Sequence, residues 1–214
     1  MFELSREMED YILHQSGRQD ELLYELYRET HKKVLHPRML SGRLQGQMLE
    51  QISKMLSPSR ILEIGTYTGY SAICLARGLA PDGQLDTIEI NDELEDFIRH
   101  YLNRSGMEKK INLHIGDARK ILDQLRGPYQ LIFLDGDKRQ YPDYLTHCKG
   151  LLAPGGTLLA DNVLWDGKVL DSDTRDTHTQ GIRQFNDRVR NDPSLESLIL
   201  PIRDGLMMAH KKKQ

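Results

Sequence analysis

A layered α/β fold, with helices on both faces of a mostly parallel sheet, is what this sequence predicts, and three observations carry the prediction. Apolar runs of β type alternate with helical stretches from Arg60 to Leu152, the rhythm of a parallel sheet with crossover helices. The first of these runs passes directly into a glycine-rich turn and a helix start, Ile61 to Ser71, reading I-L-E-I-G-T-Y-T-G-Y-S. The chain then closes on two apolar runs separated by Arg203-Asp204-Gly205, the pattern of an antiparallel pair. Together they predict a mostly parallel seven-stranded sheet that ends in an antiparallel C-terminal strand.

Two amphipathic helices come first, Ser5 to His14 and Asp20 to Leu35, because their apolar positions recur at three- and four-residue spacings. Residues 1–45 therefore read as a lid or interface, and 46–214 as the binding core of the same single domain. Strands follow at Arg60 to Ile64, Gln84 to Ile90, Ile111 to Ile115, Leu131 to Leu134 and Thr157 to Ala160. Helical stretches lie between them at Tyr70 to Leu79, Glu93 to Ser105, Ala118 to Leu125 and Tyr141 to Leu152. Pro81-Asp82-Gly83, Gly127-Pro128 and Pro154-Gly155-Gly156 punctuate these units as turns. The polar segment Asp166 to Gly181 reads as a mobile loop, and Leu195 to Ile202 and Leu206 to His210 form the closing pair.

At 214 residues the chain can bury a sizeable core. A formal charge of −3 gives no global reason to expect a polyanion partner, and the one basic run, Lys211 to Lys213, reads as a solvated tail. Cys74 and Cys148 are too few for a disulfide framework and fall among apolar neighbours in helical stretches. With no signal-peptide pattern and no apolar run of membrane-spanning length, the expectation is a cytoplasmic protein without a membrane partner.

The spacing in the first turn is G-x-x-x-G, whereas the dinucleotide fingerprint is G-x-G-x-x-G. Tyr67 and Thr68 fill positions where approach of a pyrophosphate needs glycine, so a cofactor without a pyrophosphate fits better. With Glu63 two residues before Gly65 and Glu89 about twenty residues further on, the pattern looks like the S-adenosylmethionine site of a Rossmann-like methyltransferase. Glu89, at the end of the second strand, stands where a carboxylate accepts both hydroxyls of a ribose. Asp117, in Gly116-Asp117-Ala118, is placed to cap the next helix, and this segment also serves as a candidate adenine contact through its side chain or the Ala118 backbone. Tyr67 and Ser71 are candidates to orient a methionine carboxylate, with packing as the other role for Tyr67.

A second constellation joins two strand ends, Phe133-Leu134-Asp135-Gly136-Asp137-Lys138 and Leu159-Ala160-Asp161-Asn162. Neighbouring strands lie about 4.8 Å apart, so Asp135 and Asp161 can reach one ion. Two carboxylates so close repel unless a cation lies between them. With the Asn162 amide oxygen they form a hard oxygen set suited to Mg²⁺, with Mn²⁺ or Ca²⁺ as alternatives. The plainer reading of the same residues is helix caps and turn formers.

These segments resemble the metal-dependent class I O-methyltransferases typified by catechol and caffeoyl-CoA O-methyltransferases, in their bacterial branch. The resemblance runs from about Met39 to His210 through M-L-S-G-R-L-Q-G-Q, L-E-I-G-T-Y-T-G-Y-S, I-E-I-N, G-D-A, F-L-D-G-D-K and D-N-V-L-W. It implies a metal on Asp135, Asp161 and Asn162 and a general base at Lys138. It also implies S-adenosylmethionine contacts from Met39, Ser41, Glu63, Gly65, Tyr67, Ser71, Glu89 and Ala118, with Asp117 and Asp135 beside them. Gly136-Asp137 departs from the His-Trp pair of the animal catechol enzyme, which leaves Trp165 as the candidate substrate wall and Asp204 as a second substrate-side residue. The activity so implied is direct methyl transfer to a vicinal aromatic diol, in a protein expected to pair as a homodimer.

Two other functions remain open at this stage. One is a tRNA 5-hydroxyuridine O-methyltransferase, with His31, Lys32, Lys33, Arg38, Arg43, Arg139, Arg183, Arg188 and Arg190 as an RNA track. The other is an inactive cofactor-binding regulatory protein.

Overall fold

A computed structural model describes residues 5–213 of the chain. Helix α1 (Arg6–Gln15) is capped by Ser5, whose side chain accepts from the Met8 amide, and α2 (Glu21–Lys33) by Asp20, which accepts from the Leu23 amide. Next come α3 (Gly42–Leu56), β1 (Arg60–Ile64), α4 (Tyr70–Ala76), β2 (Gln84–Glu89), α5 (Glu95–Arg104) and β3 (Ile111–Ile115). The rest of the chain supplies α6 (Ala118–Leu122), β4 (Tyr129–Leu134), α7 (Tyr141–Leu151), β5 (Leu152–Asp161), α8 (Thr177–Arg190), β6 (Leu195–Leu200) and β7 (Leu206–Lys211).

The strands form one seven-stranded sheet in the order β3-β2-β1-β4-β5-β7-β6. The first five strands run parallel, and β7 inserts antiparallel between β5 and β6. Alternation along each strand sends neighbouring residues to opposite faces, and both faces are buried. Ile61, Leu131, Phe133 and Leu159 meet Leu26, Leu49, Ile73 and Ile98 on one side. Leu62, Ile64, Ile132, Leu134 and Leu158 meet Leu122, Tyr144, Leu145, Ile182 and Phe185 on the other. Strand order reverses between β1 and β4, and the crevice outside the carboxyl ends at such a switch point is where open α/β sheets bind ligands.

Three expectations need correction. Helix α3 was not foreseen, because its apolar positions Leu49 and Ile52 are diluted by glutamines and by Gly42 and Gly46. Part of the segment expected as a mobile loop, Asp166 to Gly181, is ordered: 3₁₀ turns span Trp165–Leu170, and α8 starts at Thr177 on an Asp176 cap that accepts from the His178 and Thr179 amides. The stripe Ile182, Phe185 and Val189, buried on α8, explains why tertiary packing makes a helix of so polar a stretch. Lys211 is no tail residue either. It ends β7, and its ammonium donates to the Lys149 and Leu152 carbonyls at 2.7 and 2.8 Å.

Both cysteines are free and buried, and burial pushes the Cys148 thiol up to about 12. Among the described residues no helix is long and apolar enough to cross a membrane.

At the amino edge of the sheet, away from the crevice, Asp86 on β2 gathers partners from three other strands. Arg60 Nη2 and Tyr129 Oη donate to Oδ2 at 2.9 and 2.8 Å, while Asn112 Nδ2 and His114 Nε2 lie 3.3 and 3.0 Å from Oδ1. Burial opposes the Asp86 charge, but the hydrogen bonds from His114, Tyr129 and Arg60 outweigh it and hold its carboxyl at about 2, against an ordinary 3.8. Because the folded pKa lies below the unfolded one, this stabilisation is present above pH 3.8 and is lost as pH falls toward 2. Asp86→Ala is expected to lower the unfolding free energy by about 3 kcal/mol at neutral pH. Urea denaturation of both proteins checks this, and the gap between them should shrink on acidification below 3.8.

Candidate active site

The crevice begins where β1 ends. Gly65 has φ 101°, and a Cβ there would lie 2.3 Å from the Asp135 carbonyl oxygen, so only glycine lets the first turn pass so close to the end of β4. The amides of Gly65 and Thr66 donate to the Ile88 carbonyl at 3.0 and 3.1 Å, and the Gly69 amide to Thr66 at 2.9 Å. Thr30 on α2 donates to the Thr68 hydroxyl at 3.3 Å, which docks the N-terminal helices on this turn. Met39, Ser41, Gly65, Tyr67, Ser71 and Asp135, all candidates from the sequence, line one cleft.

Glu89 ends β2 beside that cleft, its two carboxylate oxygens accepting from the Tyr67 amide at 2.7 Å and the Asn91 amide at 2.9 Å. Burial raises its pKa despite the backbone N–H groups of Asn91, Tyr67 and Ile90. Tyr67 itself is held at φ 51°, and its hydroxyl donates to the Leu35 carbonyl at 3.0 Å. Its ring thus also packs the N-terminal segment against the turn. Asp117 caps α6 through the Arg119 amide and pairs with the Arg119 guanidinium, while Ala118 is buried.

Glu63 lies one residue behind Ile64 and is fully buried. Thr87 donates to its Oε2 at 2.5 Å, and Oε1 has no hydrogen-bond partner. Burial pushes its carboxyl up to about 8, overriding the polar pull of Ser71 and Thr87, with Asp135 and Glu89 adding to the rise.

Register pairs Leu134 with Ala160, so Asp135 and Asp161 follow at the ends of adjacent strands. Asp161 is 3% exposed, and Asn162 turns the chain at φ 58°. Burial raises the Asp135 carboxyl; Asp161 adds to this, and Lys138 opposes it. Lys138 Nζ donates to Asp135 Oδ1 at 2.7 Å and to the Tyr141 hydroxyl at 2.6 Å. Tyr141, fully buried at the start of α7, lies 3.1 and 2.9 Å from the Leu134 and Asp161 carbonyls, tying the ends of β4 and β5 together. Gly181 allows α8 to press on the same turn, since a Cβ there would meet the Lys138 carbonyl at 2.4 Å. Lys138 pairs with Asp135, and buried Asp161 lies at the end of the adjacent strand. This donor set fits a hard divalent cation, with Asn162 as a further oxygen; among the described residues no three His, Cys, Asp or Glu side chains form a cluster of their own.

On the outer side Trp165 stacks on His178 with ring centres 5.9 Å apart, and its Nε1 donates to Asp176 at 3.2 Å. Asp204 accepts from the Asp166 amide at 2.5 Å. Of the basic residues expected to line an RNA track, His31, Arg38 and Arg43 line one pocket beside α1 and α2, and three others have local partners. Arg139 pairs with Asp137, Arg183 donates to the Asp171 and Ser172 carbonyls, and Arg188 donates to Pro142. Sequence reasoning missed Tyr141, Gln45 and Arg203, whose contacts cross long stretches of chain. Gln45 on the buried side of α3 was the one local signal, and it was lost with that helix.

The fold and this cleft define a Rossmann-like α/β protein with its ligand site at the switch point. A family model described as O-methyltransferase matches residues 13–212, so the chain belongs to the O-methyltransferase family, whose members use S-adenosylmethionine. It is 34% identical over 174 residues to a catechol O-methyltransferase of Niastella koreensis, covering 77% of this chain and 79% of that one. It is 31% identical to a caffeoyl-CoA O-methyltransferase of Medicago sativa, covering 95% and 87%. The crystal structure of an O-methyltransferase from Bacillus cereus in complex with SAH superposes with a TM-score of 0.90 at 30% identity, over 95% of this chain and 96% of that chain.

Because folded Glu63 keeps its proton to about 8 while an unfolded one loses it near 4.5, the Glu63 contribution to stability is fully present below 4.5 and declines as pH rises toward 8. Glu63→Gln removes that titration. Thermal melts across this range should show the variant gaining on the parent as pH rises, and a constant gap would mean that Glu63 is ionised in the fold.

Proposed function

We propose that this O-methyltransferase methylates one hydroxyl of a vicinal aromatic diol of catechol or caffeoyl type, with a divalent cation, best Mg²⁺, held by Asp135, Asp161 and Asn162. The observation that carries this reading is the placement of Asp135 and Asp161 at the ends of adjacent strands, with buried Lys138 donating to Asp135 at 2.7 Å. The names of the relatives from Niastella koreensis and Medicago sativa support the acceptor class.

S-adenosylmethionine, when bound, supplies the methyl group, and the cation favours the oxyanion of the acceptor hydroxyl. Glu89 accepts the ribose hydroxyls with the lone pairs that its backbone donors leave free. The unpartnered Oε1 of Glu63 accepts a donor from the methionine end, where Gly65, Tyr67 and Ser71 form the floor and Met39 and Ser41 the side of the cleft. Ala118 lies against the adenine. Lys138, once it has given up a proton to solvent, would take the acceptor proton at Nζ as the neutral amine, held in place by Asp135 and Tyr141. Trp165, fixed by Asp176 and His178, walls the acceptor ring, and Asp204 holds the segment that carries it. Most of the acceleration comes from holding the two reactants in line.

The tRNA reading draws less support because the chain carries a formal charge of −3 and Arg139, Arg183 and Arg188 are tied to local partners. An idle regulatory protein is harder to reconcile with a buried lysine paired to Asp135 beside buried Asp161. Exposed Tyr11, Tyr24 and Tyr27 make α1 and α2 the face through which two copies would pair.

Incubation with S-adenosylmethionine and a dihydroxyphenyl acceptor should give a methylated product by mass spectrometry that disappears with a chelator. Product that persists with the chelator removes the metal from the mechanism. Lys138→Ala is expected to lower kcat by about 10²–10⁴-fold, and Asp161→Ala to abolish turnover, with circular dichroism unchanged in both. Near-normal turnover by either variant overturns its assigned role, and product formed only on hydroxylated tRNA, with binding that falls steeply with salt, would favour the RNA substrate.

A further inference from the structure

The turn between β6 and β7 reaches across the cleft. Arg203 sits in it at φ 51°, and its guanidinium donates to the Leu40 and Ser41 carbonyls and to Gln45 Oε1. Gln45 projects from α3 and is 1% exposed, and its Nε2 donates to Asp161 Oδ2 at 2.7 Å. A guanidinium carries donors only, and a carboxylate accepts only. The amide between them therefore has one orientation, oxygen to Arg203 and nitrogen to Asp161. One oxygen of Asp161 is committed to this bond, which leaves Oδ1 for another partner.

We propose that Gln45, oriented by Arg203, is a positioning residue that presents the Asp161 carboxylate to the divalent cation through one oxygen. The inference rests on the metal-dependent reading above and adds the residues that aim one of its ligands. A buried carboxylate without a second partner rotates about its terminal torsion, which is broad. A donor from α3 removes that freedom before the ion arrives. Outer partners of ligating groups act in this way, and their loss typically weakens metal binding about 10–100-fold. Arg203 is not hydrogen-bonded to the Asp161 carboxylate, and its charge also reaches Asp135; loss of that positive charge alone would favour a cation, so weaker binding in an Arg203 variant reports the route through the Gln45 amide.

Binding of Mn²⁺ to the cofactor-free protein, followed by the electron paramagnetic resonance signal of the free ion, tests this without any turnover. Gln45→Leu, close in size, should weaken Mn²⁺ binding about 10–100-fold, and Arg203→Leu should weaken it in the same direction by a smaller factor. The double variant should bind no worse than Gln45→Leu alone, because the arginine acts through the amide. Circular dichroism melts establish that each variant is folded. Should Gln45→Leu fail to fold, Arg203→Leu, at an exposed residue, carries the test by itself. Unchanged Mn²⁺ affinity in a folded variant overturns the proposal, as do losses that add in the double variant. Wild type that binds no Mn²⁺ overturns the metal reading and this inference with it, whereas wild type that binds as tightly as every variant overturns this inference alone.

Discussion

The structure depends on how closely β1 and β4 approach at their carboxyl ends. The Asp135 amide donates to the Ile64 carbonyl at 2.8 Å, and the next residue of β1 is a glycine whose missing side chain leaves room for the Asp135 carbonyl. That contact brings the glycine-rich turn and Asp135 to the same point. Strand order reverses there, so no crossover helix covers the crevice. The chain obtains a site at this spot because parallel strands place all their carboxyl ends along one edge.

Charge is the second constraint. Asp135, Asp161, Glu63 and Glu89 all gather around the crevice, and burial penalises each ionised carboxylate. The structure handles them differently. Glu89 receives backbone N–H groups and Asp135 receives Lys138, whereas Glu63 keeps its proton at neutral pH. Asp161 takes its hydrogen bond from Gln45. Tyr141 then holds the ends of β4 and β5 through their carbonyls and the lysine through its ammonium, so that one phenol organises the charged side of the cleft.

The two edges of the sheet divide their tasks. At the amino edge Asp86 collects Arg60, His114 and Tyr129 into a satisfied network, with the Arg60 guanidinium 4.2 Å above the Tyr129 ring. A network of this kind rigidifies four strands where nothing needs to bind. At the carboxyl edge the polar groups keep unspent capacity, such as the free Oε1 of Glu63. Stability and ligand binding are thus separated by the length of a strand.

What the sequence determined by itself is the part that rests on local patterns. Continuous apolar runs marked the strands and three- and four-residue spacings the first helices, and strand-end residues such as Glu89, Asp135 and Asp161 could be placed because a parallel sheet puts every strand end on one edge. Helices α3 and α8 escaped local reading, since Gly46 and Gly181 look like helix breakers until the packing they permit is seen: Gly46 against Tyr70 and Cys74, and Gly181 against the Lys138 turn. Only the tertiary structure decided which groups meet across the chain. Gln45 and Asp161 are 116 residues apart, and Arg203 and Gln45 are 158 apart. No spacing along the sequence encodes such contacts, because they form only after the sheet has set the positions of α3 and the last turn.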